Sequence, residues 1–552
     1  MIIKLSPLTK KSFLTLLLLI SLTDVIGQNT VGTLTNTSDS FAGYTLFSPR
    51  TSVTPRATYL INNCGEIINQ WDSSFPLFST DYLMEDGSLY RSVVDNQSTL
   101  ALPGNTGRIE HLDWDGNLIW GVTISSTDSS FHHDFVVLEN GNIILLIAER
   151  RSDTEAIALG RDPSTMATNE LYEETIIEIE PQGTSEYAVV WEWRSWDHLI
   201  QDFDATKENF GVVGDHPELF DFNFGTSLGE ADWFHSNSLS YNAERDQITI
   251  SNRNLDEFVI IDHSTTTAEA ATSSGGNSNR GGDLLYRYGN PASYRQGTAA
   301  DQVLSAMHDV HFIPAGSPDA GKIQIFNNGA DFGFTAIQII DPEFDTTTNN
   351  YVYDGGAYGP DTLDFEYTDP DDPPNFFASF LSGSQQLPNG NILIINGPFG
   401  FLFEVTPEGE TVWEYQSPVG NSQILSDGDD AANFQTRGYR ALRYAPDYAA
   451  FEGRDLTPSG VIEQNPAADG CELLSTETFT STNLQTYPNP TVDYLSIQGA
   501  PTNSLYEIYD LNGRKLSSHT NDRIDVSQLS SGIYLLKVLS NQRFIVQKFI
   551  KK

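Results

Sequence analysis

Four short stretches set nitrogen bases beside apolar strand sequence: FHHDFVVLENGN (131–142), ADWFHSNSLSYN (231–242), ISNRNLDEFVIID (250–262) and MHDVHFIPAG (307–316). They offer His133, His235, Arg253 and His308 as a candidate set. Brought together without an acidic partner, these groups make a positive pocket suited to a small anion, strongest where water is excluded. In such a pocket a neutral imidazole is a nucleophile near neutral pH, and the other groups can donate to charge that develops in a transition state. A metal hydrolase using His133, Asp134, His235 and His308 is a rival use of the same residues. Each residue also has a scaffold reading. A histidine followed by aspartate at a strand start often satisfies a nearby carbonyl, and Arg253 could bridge two sheets. Asn237 either orients its neighbours, donates to an oxyanion or serves a turn, and Arg440 in RGYRALRY (437–444) is either a channel residue or part of a closing strand. His111, His198, His216, His263, His311 and His519 carry no assigned role.

Residues this far apart need a scaffold that returns to one place. From about Thr45 to Tyr444 one pattern recurs, a short apolar strand, an Asn-Gly or Asp-Gly turn, a second apolar strand and often a tryptophan. Examples are TYLINNCGEIINQW (58–71), YLMEDGSLY (82–90), RIEHLDWDGNLIW (108–120), VVLENGNIILLI (136–147) and QQLPNGNILIINGPFGFLFEVTPEGETVWEY (385–415). Such dipeptides suit two-residue hairpins with positive φ at both central positions, and the alternation of Ile143, Leu145 and Ile147 predicts one buried face. Small sheets of this kind must pack radially to bury their faces, which predicts an all-β, six-bladed β-propeller with a central channel. Strand starts then converge on the channel mouth, so sequence distance does not separate the four residues. The polar, Gly-rich or Pro-rich segments 162–170, 264–282 and 361–374 read as long loops with solvated acidic clusters.

The chain has 552 residues, 30 basic against 74 acidic side chains and a formal net charge of −44. That balance disfavours nucleic acid and anionic membranes as partners while leaving a local anion site open. Residues 1–27, with Lys4, Lys10 and Lys11 ahead of an apolar stretch, read as a secretory signal, and no later segment is apolar over a membrane-spanning length. In an oxidising compartment Cys64 and Cys471, the only cysteines, are candidates for a disulfide. The propeller is expected over 40–455 and a Ser, Thr, Asn and Pro-rich linker over 456–484. A second small, β-sandwich-like domain follows over 485–552, with YPNP (487–490), YEIYDLNGRKL (506–516), IDVSQLSSGIYLLKV (524–538) and a terminal KFIKK. In that order these resemble the C-terminal sorting domain of the type IX secretion system of Bacteroidota. The resemblance implies that secretion machinery as partner, a secreted or cell-surface location and removal of the tail.

Within the propeller region, HHDF, DWFHSN, the SNR that follows, and MHDVHF ahead of IFNNG occur in the order seen in aryl-sulfate sulfotransferases, and GGDLLYRYGNP (281–291) is similar to a further family segment. The resemblance spans roughly residues 45–450. It implies transfer of a sulfuryl group between phenols by a ping-pong cycle, without cofactor, metal or nucleotide sulfate donor. His308 matches the histidine that becomes sulfated, and His133, His235 and Arg253 match the residues that hold the sulfuryl oxygens. His132, Asn237 and Arg440 are expected to help bind substrate. Met307 and Asn327 depart from the family pattern, which often has Gln and Asp there, and leave acceptor preference open. The alternative is a non-enzymatic propeller that binds sulfated glycans. Monomer and homodimer both remain open.

Overall fold

A computed structural model describes residues 29–54, 56–95, 97–166, 168–225, 231–370, 372–466, 485–498, 504–509, 515–540 and 543–552. The leader expected over residues 1–27 lies outside them. The chain divides into two compact units, residues 1–473 and 474–552.

Asn-Gly and Asp-Gly dipeptides make the hairpins, though with one more loop residue than expected. At Leu138–Asn142 the Leu138 N–H donates to Asn142 O (2.8 Å) and the Gly141 N–H to Leu138 O (2.9 Å). Gly141 has φ +87°, while Asn140 is not among the residues of positive φ. The same bond pair closes Asn62–Glu66, Met84–Ser88, Asp113–Asn117, Leu387–Asn391 and Thr406–Glu410. This is a type I turn finished by a left-handed glycine, which matches the strand twist while asking only one residue for positive φ.

Among the described residues of the first unit the hairpins join into six antiparallel sheets of four strands, one carrying a fifth. The innermost strands are Leu77–Leu83, Ser129–Val137, Ser236–Asn242, His308–Phe312, Gly383–Gln386 and Gly438–Tyr444, each in contact with the next and the last with the first. Ring closure comes from Gly438–Tyr444, which pairs with Tyr44–Pro49 through Tyr44↔Tyr444, Leu46↔Leu442 and Phe47↔Ala441. At the rim Gly32–Asn36 pairs with Thr411–Gln416. This is a β-propeller.

The strand Ile143–Ser152 does not alternate. Ile143, Ile144, Leu145 and Leu146 are all wholly buried, because odd positions pack with Ile109, Trp120 and Phe131 on one side and even positions with Trp191, Leu239 and Ile250 on the other. A blade held between two blades has no solvent face. Strand content also exceeds expectation in segment 361–374, where Phe365–Tyr367 forms the outer strand paired with Ala336–Ile340. In segment 264–282 a short helix, Thr267–Ala270, is closed by a Thr266–Glu269 capping box.

The propeller reaches beyond 40–455 at both ends. Before residue 40 lies the Gly32–Asn36 strand, and after 455 the Ser459 N–H donates to Ile67 O (2.9 Å) and the Gln464 N–H to Leu425 O (2.8 Å). Cys64 is disulfide-bonded, and Cys471 lies outside the described residues. Among the described residues no helix is long and apolar enough to cross a membrane.

The described residues of the second unit form a three-stranded sheet (Gln485–Tyr487, Tyr494–Gln498, Arg523–Asp525) and a four-stranded one (Lys515–His519, Leu505–Tyr509, Gly532–Ser540, Arg543–Lys551). Leu495, Ile497, Ile508, Ile524, Leu536 and Phe549 from the two sheets share one core.

Candidate active site

Three adjacent inner strands reach the axis with broken register. Ser129–Val137 slips against its partner between Leu145 and Ile147, Ser236–Asn242 between Ser236 and Ser238, and His308–Phe312 between His308 and His311. Bulges re-aim side chains that plain alternation would send between blades. His133, His235 and Asp309 have φ of 53°, 49° and 50°. Each such residue costs on the order of 1–3 kcal/mol and persists only where its surroundings fix it. Aspartates do the fixing. Asp134 accepts from the Thr80 hydroxyl (2.9 Å), the Phe135 N–H (3.0 Å) and, one blade on, the Leu239 N–H (3.0 Å). Asp309 likewise accepts the Ser384 N–H of the next blade (2.7 Å). Arg440 sits between them, 3.2 Å from Asp134 and 2.5 Å from Asp309. Burial opposes its charge, but Asp309 and Asp134 prevail and push its pKa up.

His308 begins its strand with only 3% of its surface exposed. Its Nδ1 lies 2.8 Å from Asn328 Oδ1 and 3.1 Å from Ala306 O. The Asn328 amide is itself oriented, since its nitrogen donates to Ala378 O (2.5 Å) and Leu381 O (3.1 Å). Both neighbours of His308 Nδ1 are therefore acceptors, so Nδ1 carries the hydrogen and Nε2 keeps a lone pair. Burial, then the charge of Arg253, lowers the pKa of His308 from 6.5 to about 3. The imidazole is neutral at physiological pH.

Around it stand the other bases. The His133 and His235 rings lie 5.1 Å apart, and Tyr439 lies 6.3 Å from His133 and 6.4 Å from His308 between ring centres. Arg253 opens a tight turn, Arg253–Leu255, whose backbone is tied back to His235 O (3.4 Å). The turn is anchored by Asn290, which donates to Leu255 O (3.0 Å), and by the Ala306 N–H, which donates to Asp256 (2.7 Å). Among the described residues Arg253 makes no ion pair; its guanidinium donates to Asn254 Oδ1 (3.1 Å).

The expectation of a pocket free of carboxylates fails at two places. His235 Nδ1 lies 2.6 Å from Asp232, and His132 Nε2 lies 2.7 Å from Glu174. A carboxylate only accepts, so each of these two contacts fixes a ring hydrogen on the histidine nitrogen that faces it. His132 also meets His133, Nδ1 to Nδ1 at 2.9 Å.

Of the expected residues, His133, His235, Arg253 and His308 come together. Of the three expected to bind substrate, His132 and Asn237 do not open onto the site, whereas Arg440 stands near His133. His132 is wholly buried between Glu174 and His133. Asn237 is wholly buried too, its amide donating to Met307 O (2.9 Å) and accepting from Ser251 (2.5 Å), so it fixes the backbone ahead of His308. Arg440 is held by two carboxylates and ties blades together at the axis. The metal reading loses Asp134, whose oxygens are occupied by Thr80, two backbone N–H groups and Arg440.

Sequence reasoning missed Asp232, Glu174, Asn328, Tyr439 and Gly104. Asp232 and Asn328 stood inside quoted motifs, three residues before His235 and beside Asn327, and Tyr439 adjoins Arg440. Nothing local marked Glu174. Gly104, at φ +71°, lies so close to His133 that a β-carbon there would be 2.2 Å from its Nε2. Most other histidines serve the scaffold: His198 joins Asp283 to Ala270 O, His263 joins Asp246 to Glu178, and His111 stacks on Tyr90.

Among solved structures, the periplasmic gluconolactonase PpgL of Pseudomonas aeruginosa is similar at 10% identity and a TM-score of 0.37, over 73% of this chain and 99% of its own. Virginiamycin B lyase from Staphylococcus aureus is similar at 10% identity and 0.31, over 69% and 86%. A protein of unknown function from Bacteroides caccae is similar at 12% and 0.35, over 68% and 94%. These likenesses are too loose to inform the chemistry. No individually curated protein matches significantly. The secretion system C-terminal sorting domain profile matches residues 485–552, which marks the protein for export to the cell surface or beyond. The arylsulfotransferase (ASST) profile matches residues 33–423, a stretch that includes His133, His235, Arg253 and His308, and the chain belongs to that family.

Proposed function

We propose that this arylsulfotransferase moves a sulfuryl group from a phenolic sulfate ester to a phenol in two steps through His308, without a nucleotide sulfate donor. The supporting observation is the commitment of His308 Nδ1 to Asn328, which leaves a buried, neutral Nε2 as the attacking atom. In the first step the Nε2 lone pair forms an N–S bond while the S–O bond to the aryl group breaks, its electron pair leaving on the phenolate oxygen. His235 enters this step of the proposal as the imidazolium, its Nδ1 facing Asp232, and gives its Nε2 proton to that oxygen. In the second step the acceptor phenol returns a proton to His235 as its oxygen bonds to sulfur and the N–S bond breaks. His308 is again neutral and His235 again charged.

Asn328 matters in both steps. Because it is a neutral acceptor, Nδ1 keeps its hydrogen and the sulfated ring is cationic, so it departs as a neutral imidazole. Arg253 supports the equatorial oxygens where charge accumulates, and one such donor contributes about 3 kcal/mol. A phenol's pKa near ~10 favours aryl over alkyl esters as donors. The propeller, the cleaved leader and the sorting tail then act as successive parts of one exported enzyme.

Incubation with 4-nitrophenyl sulfate and phenol tests this. Wild type is expected to release 4-nitrophenol, form phenyl sulfate and carry one sulfuryl group on His308, and His308→Ala to do none of these. Equal turnover by both would remove the mechanism. Binding of sulfated ligand without any bond cleavage would favour a non-enzymatic binder.

A further inference from the structure

We propose that Glu174, acting through His132, controls the proton on His133, so that entry of a tetrahedral oxyanion brings one proton into the Glu174–His132–His133 chain and turns His133 Nε2 into a donor. This deepens the sulfuryl-transfer reading and rests on it. Glu174 and His132 are positioning residues, since neither reaches the substrate.

The geometry fixes where hydrogens can sit. Glu174 is 5% exposed and His132 wholly buried, and a carboxylate only accepts, so His132 Nε2 carries a hydrogen toward Glu174. A neutral His132 then has a lone pair on Nδ1, which faces His133 Nδ1 at 2.9 Å. That contact needs one hydrogen, which must come from His133. His133 Nε2 is thereby left with a lone pair, the wrong polarity for a sulfuryl oxygen.

One added proton resolves this. Placed on His133 Nε2 it makes the donor, and passage of the Nδ1 hydrogen from His133 to His132 moves the positive charge one ring away. The charge then rests beside Glu174, and His133 is neutral with Nε2–H toward the anion. The groups facing His133 explain why that transfer helps. His235, His308, Arg440 and the Tyr439 ring surround it, with His132 and Asp134 on its own strand. Burial first, then the electrostatic influence of His235, His132, His308 and Arg440, lowers the pKa of His133 well below the ordinary value. A cation resting there would be opposed from several directions, whereas one on His132 has a carboxylate at 2.7 Å.

The test uses full-length protein with isotope-labelled histidine and inorganic sulfate as probe, read by ring-nitrogen NMR near neutral pH. The expected result is a sulfate complex in which both His132 nitrogens carry hydrogen. Glu174→Gln is expected to lower sulfate affinity about tenfold, the loss of one charge-assisted contact to the relay. It is also expected to lower proton uptake, measured calorimetrically in buffers of different ionisation enthalpy. Should Glu174→Gln fail to fold, the wild-type spectra still decide. If His308 and His235 respond to sulfate while His132 Nδ1 stays unprotonated, the relay is overturned and the transfer reading stands. If no imidazole responds to sulfate, the relay is overturned as well. Labelling of His308 by 4-nitrophenyl sulfate then decides separately whether the transfer reading falls with it.

Discussion

His308 should fail to titrate across the range in which histidines normally do. Its pKa near 3 against an ordinary 6.5 makes the ring roughly 3,000-fold harder to protonate, about 5 kcal/mol. At ~pH 5 an ordinary imidazole is only ~3% neutral, whereas His308 stays ~99% neutral, a thirtyfold difference in available nucleophile. The assay is ring-nitrogen NMR of His308 between ~pH 8 and ~pH 5, paired with the burst of 4-nitrophenol released in a single turnover. Wild type is expected to show no His308 titration, and any acid limb of the burst belongs to another group. Arg253→Gln removes the nearest cause after burial, so the value should rise yet stay below the ordinary one. The sign for stability follows. The folded value lies below the unfolded one, so the chain takes up a proton on unfolding, and stability present above ~6.5 is lost as pH falls toward 3, by up to about 5 kcal/mol from this group. A His308 titration near 6.5 in the folded protein would refute the reasoning.

Asp232→Asn should lower kcat/KM about 10²–10⁴-fold, with a greater loss for phenyl sulfate than for 4-nitrophenyl sulfate, because the poorer leaving group depends more on proton delivery from His235; equal losses would count against that role. Gly104→Ala places a β-carbon against the buried His133 ring at a backbone φ of +71° and should reduce kcat about 100-fold and also lower the melting temperature, read by steady-state kinetics beside circular dichroism. Arg440→Leu leaves Asp134 and Asp309 buried without their cation and should destabilise the propeller by about 3–5 kcal/mol in denaturant titrations. An unchanged midpoint would show that the axial ion pairs do not hold the blades.

The sequence was informative wherever a local rule decides the outcome. Glycine after asparagine or aspartate marked the turns, recurring apolar strands marked the sheets, and HHDF, DWFHSN, SNR and MHDVHF named the four basic residues that meet at the axis. It misjudged hairpin length because one left-handed glycine suffices, and strand alternation because Ile143–Ser152 is covered on both faces. What only the tertiary structure decided is which groups each base faces. Glu174 is 42 residues from His132, Asn328 is 20 from His308, and Arg440 is 306 from Asp134. A motif specifies a side chain and its local backbone, but tautomer, charge and access are set by the electrostatics of neighbours. In a closed ring of blades those neighbours come from strands far along the chain.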